Sequence, residues 1–82
     1  MDIYVGNLPF NIEEAELQTA FSAHGSVDKV KMISDRDTGR FKGFAFVSMP
    51  SSDEAKKAVE ALNNSSLGGR EIRVNEAKKK GD

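Results

Sequence analysis

The sequence predicts an α+β fold in strand, helix, strand, strand, helix, strand order, and three observations carry that expectation. Two well-separated segments, Ile3-Tyr4-Val5 and Lys42 to Met49, are rich in aromatic and β-branched residues and alternate in character, as half-buried strands do. Two others place apolar residues at helical spacing behind a Ser or Asn that has a Glu three positions on, the pattern of a capped helix. A length of 82 residues, 38% hydrophobic and 30% charged, makes one domain. Its core must be small and regular, because folding at this size buries only about 60% of the unfolded surface.

The elements follow one another with clear punctuation. The first strand stops at Gly6-Asn7-Leu8-Pro9. Asn11 and Glu14 then predict a capping box that opens a helix of about three turns. Leu17 and Phe21 stand four apart with Ala20 beside them, and Gly25 after His24 is a natural helix stop. Ser26 to Ile33 carries Val27, Val30 and Met32 with Lys29 and Lys31 between them, which reads as a strand. Ser34 to Arg40 is dense in turn formers and leads into the strand Lys42 to Met49, which Pro50 ends. Ser51 and Glu54 repeat the capping box, and Ala55, Ala58, Val59 and Leu62 trace one helix face. Asn63 to Gly69 reads as a loop and Glu71 to Asn75 as the last strand. This order is the split βαβ or ferredoxin-like sandwich, a four-stranded antiparallel sheet with two helices packed on one face. The expected domain runs over residues 2–77, with a short basic tail at 78–82 that frays.

Composition removes several chemistries. There is no Cys, so disulfide scaffolds, thiolate zinc sites, Cys nucleophiles and CxxC redox chemistry are out. A single His leaves no His-rich metal site. The longest apolar run is Phe44-Ala45-Phe46-Val47, far short of a membrane span or a signal-peptide core. The expectation is a cytoplasmic, membrane-free protein with no cofactor and no metal.

Alternation then assigns faces. Side chains on a strand point to opposite sides in turn, so placing Ile3 and Val5 under the helices sends Tyr4 to the uncovered face. In the third strand, Gly43, Ala45, Val47 and Met49 form the set that fits beneath helices. Lys42, Phe44, Phe46 and Ser48 then face outward. The opposite register would bury a Lys at a cost of several kcal/mol. Three of the six aromatic residues therefore gather on one open face, on what should be adjacent central strands. A core or oligomer contact would also use such residues. An exposed aromatic patch with cations around it, however, suits unpaired bases, which stack on rings while cations meet phosphates.

At these segments the chain resembles the RNA recognition motif family. Lys42-Gly43-Phe44-Ala45-Phe46-Val47-Ser48-Met49 matches the family octamer, K/R-G-F/Y-G/A-F-V-x-F/Y, at every position but the last. Ile3-Tyr4-Val5-Gly6-Asn7-Leu8 looks like the companion hexamer. Asp35 to Arg40 and Leu67-x-Gly69-Arg70-x-Ile72-x-Val74 also look like family features. Met49 departs from the octamer at a core-facing position, where Met replaces an aromatic acceptably. Asn64 stands where the family often has Gly, which touches loop shape.

The resemblance implies roles residue by residue. Tyr4 would stack on one base and Phe46 on the next, with Phe44 between the two sugars. Lys42 looks like the phosphate partner, and Asn75 and Ala77 resemble positions that read base edges. Lys29, Lys31, Arg40 and Arg73 are added from alternation and proximity, with ordinary solvated charge as the competing reading. The expected ligand is short single-stranded RNA, in post-transcriptional regulation or RNA chaperoning. Single-stranded DNA is a second candidate, and the expected state is a monomer. Met1 just ahead of the first strand and the short tail suggest a complete small protein of bacterial or cyanobacterial type; a domain of a longer chain is the alternative.

Net charge is −1, which at first speaks against nucleic acid. Sorting by element changes that. The two helices hold Glu13, Glu14, Glu16, Asp53, Glu54 and Glu60 against Lys56 and Lys57, so the helical back is −4 and the rest of the chain +3. The leading rival is a protein-interaction module that grips a basic peptide with the acidic helical face, although such modules typically lose the sheet aromatics. An enzyme is the weaker rival. Acylphosphatases resemble this element order, but they need an Arg in the loop after the first strand, and Gly6 to Asn11 has no cation. His24 has no Ser or Cys partner in the sequence pattern and reads as a helix-end or surface residue.

Overall fold

The computed structural model describes residues 1–77. The expected four-stranded sheet and two helices are present: β1 (Asp2–Gly6), α1 (Glu14–Ser22), β2 (Lys29–Ser34), β3 (Phe41–Ser48), α2 (Ser52–Leu62) and β6 (Arg73–Ala77). Two short strands absent from the sequence reading, β4 (Ser66–Leu67) and β5 (Arg70–Glu71), form a separate hairpin between α2 and β6. The sheet order is β2-β3-β1-β6, and every pairing is antiparallel. The two strands carrying the aromatic residues are therefore the central pair.

One side of that sheet is closed. Ile3, Val5, Ala45, Val47, Met49 and Val74 are fully buried with Leu17 and Phe21 of α1 and Ala55 and Ala58 of α2. Met49 lies in this core, as its position in the alternation requires. Its amide donates to the Met1 carbonyl at 2.9 Å, and the Met1 ammonium donates to the Met49 carbonyl at 2.7 Å. No buried polar or charged side chain interrupts the core among the described residues.

The helix ends differ from expectation in instructive ways. α1 begins at Glu14, behind an extended Glu13 whose side chain makes no cap, and not at a cap on Asn11. Ile12 explains this: it is 8% exposed, so the chain must first turn it into the core, with its amide bonded to the Pro9 carbonyl at 3.2 Å. A helix begun at Asn11 would carry that residue elsewhere. Gly25 is likewise not a left-handed helix stop; the helix closes on Ala23 in the right-handed region. A Cβ on Gly25 would instead meet the Glu54 side chain at 2.5–2.7 Å. At α2 the Ser51 hydroxyl accepts from the Glu54 amide at 3.3 Å, which is half of the predicted box. The Glu54 carboxylate makes the other bond elsewhere, accepting from the Ser26 amide at 3.1 Å. Tertiary packing has diverted a local cap into a tie between α2 and the connection from α1 to β2.

The remaining shifts sit at strand ends. β2 starts at Lys29, and the last sheet strand starts at Arg73, because Glu71 belongs to the β4–β5 hairpin and Ile72 is buried between the two. Gly68 (φ +62°) and Gly69 (φ +87°) form its two-residue turn, and paired positive φ values match the twist of a tight hairpin. The Lys78 to Asp82 tail lies outside the described residues.

Candidate nucleic-acid interface

The antiparallel register builds the open face in rows, because directly paired residues point to the same side. Phe46 on β3 pairs with Tyr4 on β1 and with Lys31 on β2, and Tyr4 pairs with Asn75 on β6. One row thus crosses the whole sheet: Lys31, Phe46, Tyr4, Asn75. The adjacent row is Lys29, Ser48, Asp2, Ala77. In the other direction, Gly6 pairs with Arg73.

Tyr4, Phe44 and Phe46 form one platform. Their ring centroids lie 5.8, 5.9 and 6.2 Å apart, in tilted and edge-on arrangements, the range favoured by the ring quadrupole. All three are half-buried, unlike the core beneath them. Gly6 makes room for this arrangement: a Cβ there would come within 2.8 Å of Cε2 and Cζ of Tyr4. The Tyr4 ring therefore lies back along its own strand over bare backbone.

The predicted cations divide into groups. Lys29 and Lys31 are exposed and border a concavity of about 390 Å³ with Phe46, Ser48, Asp2 and Asp28. Arg73 shares the open face, and its guanidinium donates to Asn64 Oδ1 at 3.2 Å. Asn64 sits at φ +68°, a left-handed position that Asn tolerates better than most residues. The departure from Gly is thus accommodated, and it gives Arg73 a fixed partner. Lys42 and Arg40 stand at the loop end of β3, outside the rows. There the pairing slips, since Ser34 opposes Phe41 but Met32 already opposes Ala45. Gly43 takes φ +90° in that bulge.

The basic excess expected of the front is smaller on the described part. The +3 counted Lys78, Lys79, Lys80 and Asp82, and without these four residues seven cations stand against six acids. Asp2 and Asp28 at one end of the sheet add local negative charge. Ring surface, more than bulk charge, distinguishes this face.

Two loops frame the platform. In the β2–β3 loop the Asp35 carboxylate accepts from the amides of Asp37 (2.8 Å) and Thr38 (3.4 Å), and Asp35 and Arg40 bond through their backbones at 2.7 Å. These amide bonds, the Asp37 one foremost, hold the Asp35 carboxyl below its ordinary 3.8, and the Lys42 charge adds slightly. In the β1–α1 loop Asn7 takes φ +58°. Its Oδ1 accepts from Arg70 at 2.8 Å, and its Nδ2 donates to the Glu71 carbonyl. Sequence reasoning missed this tie to the hairpin and missed Phe10 and Phe41 beside Arg40. The signal for Phe10 was present: an aromatic in a polar loop, outside any periodic pattern. Among the described residues, no group of three His, Cys, Asp or Glu could hold a metal ion, and no helix is long and apolar enough to cross a membrane.

A βαββαβ domain with its open sheet face paved by three rings has the form of an RNA-binding domain, and comparison with known proteins agrees. The family described as RNA recognition motif matches residues 3–73, and the chain belongs to it. The RbpB protein of Nostoc is 45% identical over 82 residues, covering all of this chain and 80% of its own length. The RbpA protein of Synechocystis is 45% identical over 78 residues, 95% of this chain and 77% of its own. The expected likeness to small single-motif cyanobacterial proteins is thus found. Other relatives are longer: the chain spans 34% of the spinach chloroplast 28 kDa ribonucleoprotein, at 45% identity over 95% of this chain. Among solved structures, RNA Binding Protein PG1 has a TM-score of 0.92 at 38% identity, covering 100% of this chain and 99% of that one. The Rna15 RRM with bound RNA (GU) has a TM-score of 0.83 at 30% identity, covering 99% and 86%.

Proposed function

We propose that short single-stranded RNA lies across the open face, with one base on Tyr4, the next on Phe46 and Phe44 between their sugars. Lys42 meets a phosphate, and Asn75 and Ala77 read base edges at the β6 side. Lys29, Lys31, Arg40 and Arg73 add cationic contacts around the platform. The observation that carries this reading is the half-buried aromatic triad, with centroids 5.8–6.2 Å apart on the uncovered side of the central strands. RNA as the partner class is in keeping with the family and with the RNA-bound structure the chain is similar to.

Each stack is worth about 1–3 kcal/mol. Two or three of them, less the cost of association, suggest roughly micromolar affinity. Stacking is tolerant of sequence and indifferent to the 2′-OH, so specificity is modest and single-stranded DNA binds as well. In this reading the protein is a cytoplasmic monomer without catalytic activity, and its role is post-transcriptional: RNA stability, translation or chaperoning. The domain is residues 2–77, with 78–82 as a basic tail.

A second reading keeps a protein partner on the helical face. It is favoured by a concavity of about 470 Å³ that Leu67 forms with Ala15, Glu16, Thr19 and Ala20 of α1, next to Glu13 and Glu14. A basic peptide suits that chemistry.

The deciding experiment is titration of a randomised short RNA pool against wild type and Phe46→Ala. The variant is expected to keep its circular dichroism and to lose at least about 1 kcal/mol of binding. Equal binding by both proteins would sink the stacking reading and favour the helical face.

A further inference from the structure

The turn that ends β1 is held from outside the sheet. Asn7 follows the strand at φ +58°, a left-handed position that Asn tolerates and that persists where surrounding contacts over-determine it. Those contacts come from the β4–β5 hairpin, 63 and 64 residues further along the chain. The Arg70 guanidinium donates to Asn7 Oδ1 at 2.8 Å, and Asn7 Nδ2 donates to the Glu71 carbonyl. Both ends of the side-chain amide are thus gripped by two consecutive residues of β5. The hairpin also lies flush against the same loop, because a Cβ on Gly68 would meet Pro9 Cγ at 2.8 Å. On the other side of Asn7 stands Gly6, and the Tyr4 ring rests on its backbone, where a Cβ would come within 2.8 Å of Cε2 and Cζ. One residue therefore separates the hairpin's grip from the seat of the ring.

We propose that Arg70 is a positioning residue for the base stacked on Tyr4: acting through Asn7, it fixes the backbone of Gly6 on which that ring rests. The inference rests on the RNA reading above and deepens it. Without the two bonds Asn7 relaxes towards negative φ, which turns the peptide joining it to Gly6. The Tyr4 ring then loses its fixed plane, and a stack depends on that plane being set before the base arrives. The effect is confined to one ring. Phe44 and Phe46 stand on β3, which is laddered to β2 on one side and β1 on the other, so their backbone does not depend on the loop. Asn7, Arg70 and Glu71 are all exposed, and hydrogen bonds among water-accessible groups add little to global stability. The tie serves the shape of the turn more than the stability of the domain.

The test titrates a randomised short RNA pool against Arg70→Ala in three backgrounds. In the wild-type background it is expected to weaken binding about fivefold, the lower end for one base-on-ring stack. The same loss should appear in Phe46→Ala and vanish in Tyr4→Ala, where there is no ring left to position. The salt slope should not change, because Arg70 acts on the protein; a fall of about 0.7, one phosphate's share on a single strand, would make it a direct RNA contact and overturn the proposal. Asn7→Gly checks the link without touching the hairpin, since Gly accepts positive φ but makes neither bond. It should match Arg70→Ala, with no further loss in the double variant. The free protein supplies a readout that needs no RNA. Tyr4 is the one Tyr in a chain without Trp, so tyrosine emission reports this ring alone, and acrylamide should quench it more readily in Arg70→Ala. Unchanged quenching together with undiminished affinity overturns the positioning role, as does a loss that persists in Tyr4→Ala. The two readings fail separately. If Tyr4→Ala and Phe46→Ala weaken binding while Arg70→Ala does not, positioning alone is lost. If neither ring variant weakens it, the open-face reading falls and takes the positioning role with it.

Discussion

The two sides of β3 use similar apolar residues to opposite ends. Gly43, Ala45 and Val47 are buried under the helices, while Phe44 and Phe46, alternating with them, stay half-open beside Tyr4. The pleat places the two sets one residue apart in sequence and on opposite surfaces of the sheet. The larger side chains go to the open side, where ring area serves a ligand. The smaller ones go beneath the helices, where close packing requires them. In this protein the work of stability and the work of recognition are separated by the thickness of one strand.

The sharpest way to break that comparison is from the closed side. Phe21, fully buried against the inner face, is expected to cost about 3–5 kcal/mol when replaced by Ala, a large share of the stability of a domain this size. Urea unfolding measures the loss, and RNA affinity of the folded fraction should match wild type. A drop in that intrinsic affinity would show the two faces to be coupled. The Phe46→Ala variant is the mirror case, with its main effect on binding.

A smaller effect is expected at the loop end of the platform. Lys42→Ala should reduce the salt dependence of RNA binding by about 0.7 in log–log slope, one phosphate's share. Affinity measured from low to moderate salt checks this, and an unchanged slope removes Lys42 from the phosphate role.

The smallest effect belongs to the Asp35 turn. Its carboxyl lies below 3.8 because the charged form accepts the Asp37 and Thr38 amides. A depressed folded value means that the turn's contribution is complete above the ordinary carboxylate range and is lost as pH falls through the lowered one. The amide proton shifts of Asp37 and Thr38 should therefore titrate together with a midpoint below 3.8, and should stay flat in Asp35→Asn. A midpoint at or above 3.8 would detach the turn from its carboxylate.

Much of this was legible in the sequence, for identifiable reasons. The alternation around Phe44 and Phe46 could be read because one register buries a Lys and the other does not. The adjacency of β1 and β3 came with the element order. Other features were hidden because they depend on contacts distant in sequence. The Asn11 capping box was locally sound and lost to the burial of Ile12. The Glu54 half of the second box was lost to the Ser26 amide, 28 residues away. The β4–β5 hairpin escaped notice because each strand is two residues long, although Gly68-Gly69 marked its turn. Phe10 escaped because no periodicity assigns a loop residue to a surface.

The sequence by itself determined the order of elements, the division of β1 and β3 into a buried and an open side, and the three rings of the platform. Those follow from local periodicity and from the cost of burying charge, both written along the chain. Only the tertiary structure decided how the rows align, with Lys31, Phe46, Tyr4 and Asn75 in one line across four strands. It alone decided that Arg73 is held by Asn64, that Asn7 ties the first loop to the hairpin, and that Phe10 stands against Gly43. Each of these depends on which strands become neighbours and in what register, which is settled by packing the whole core at once.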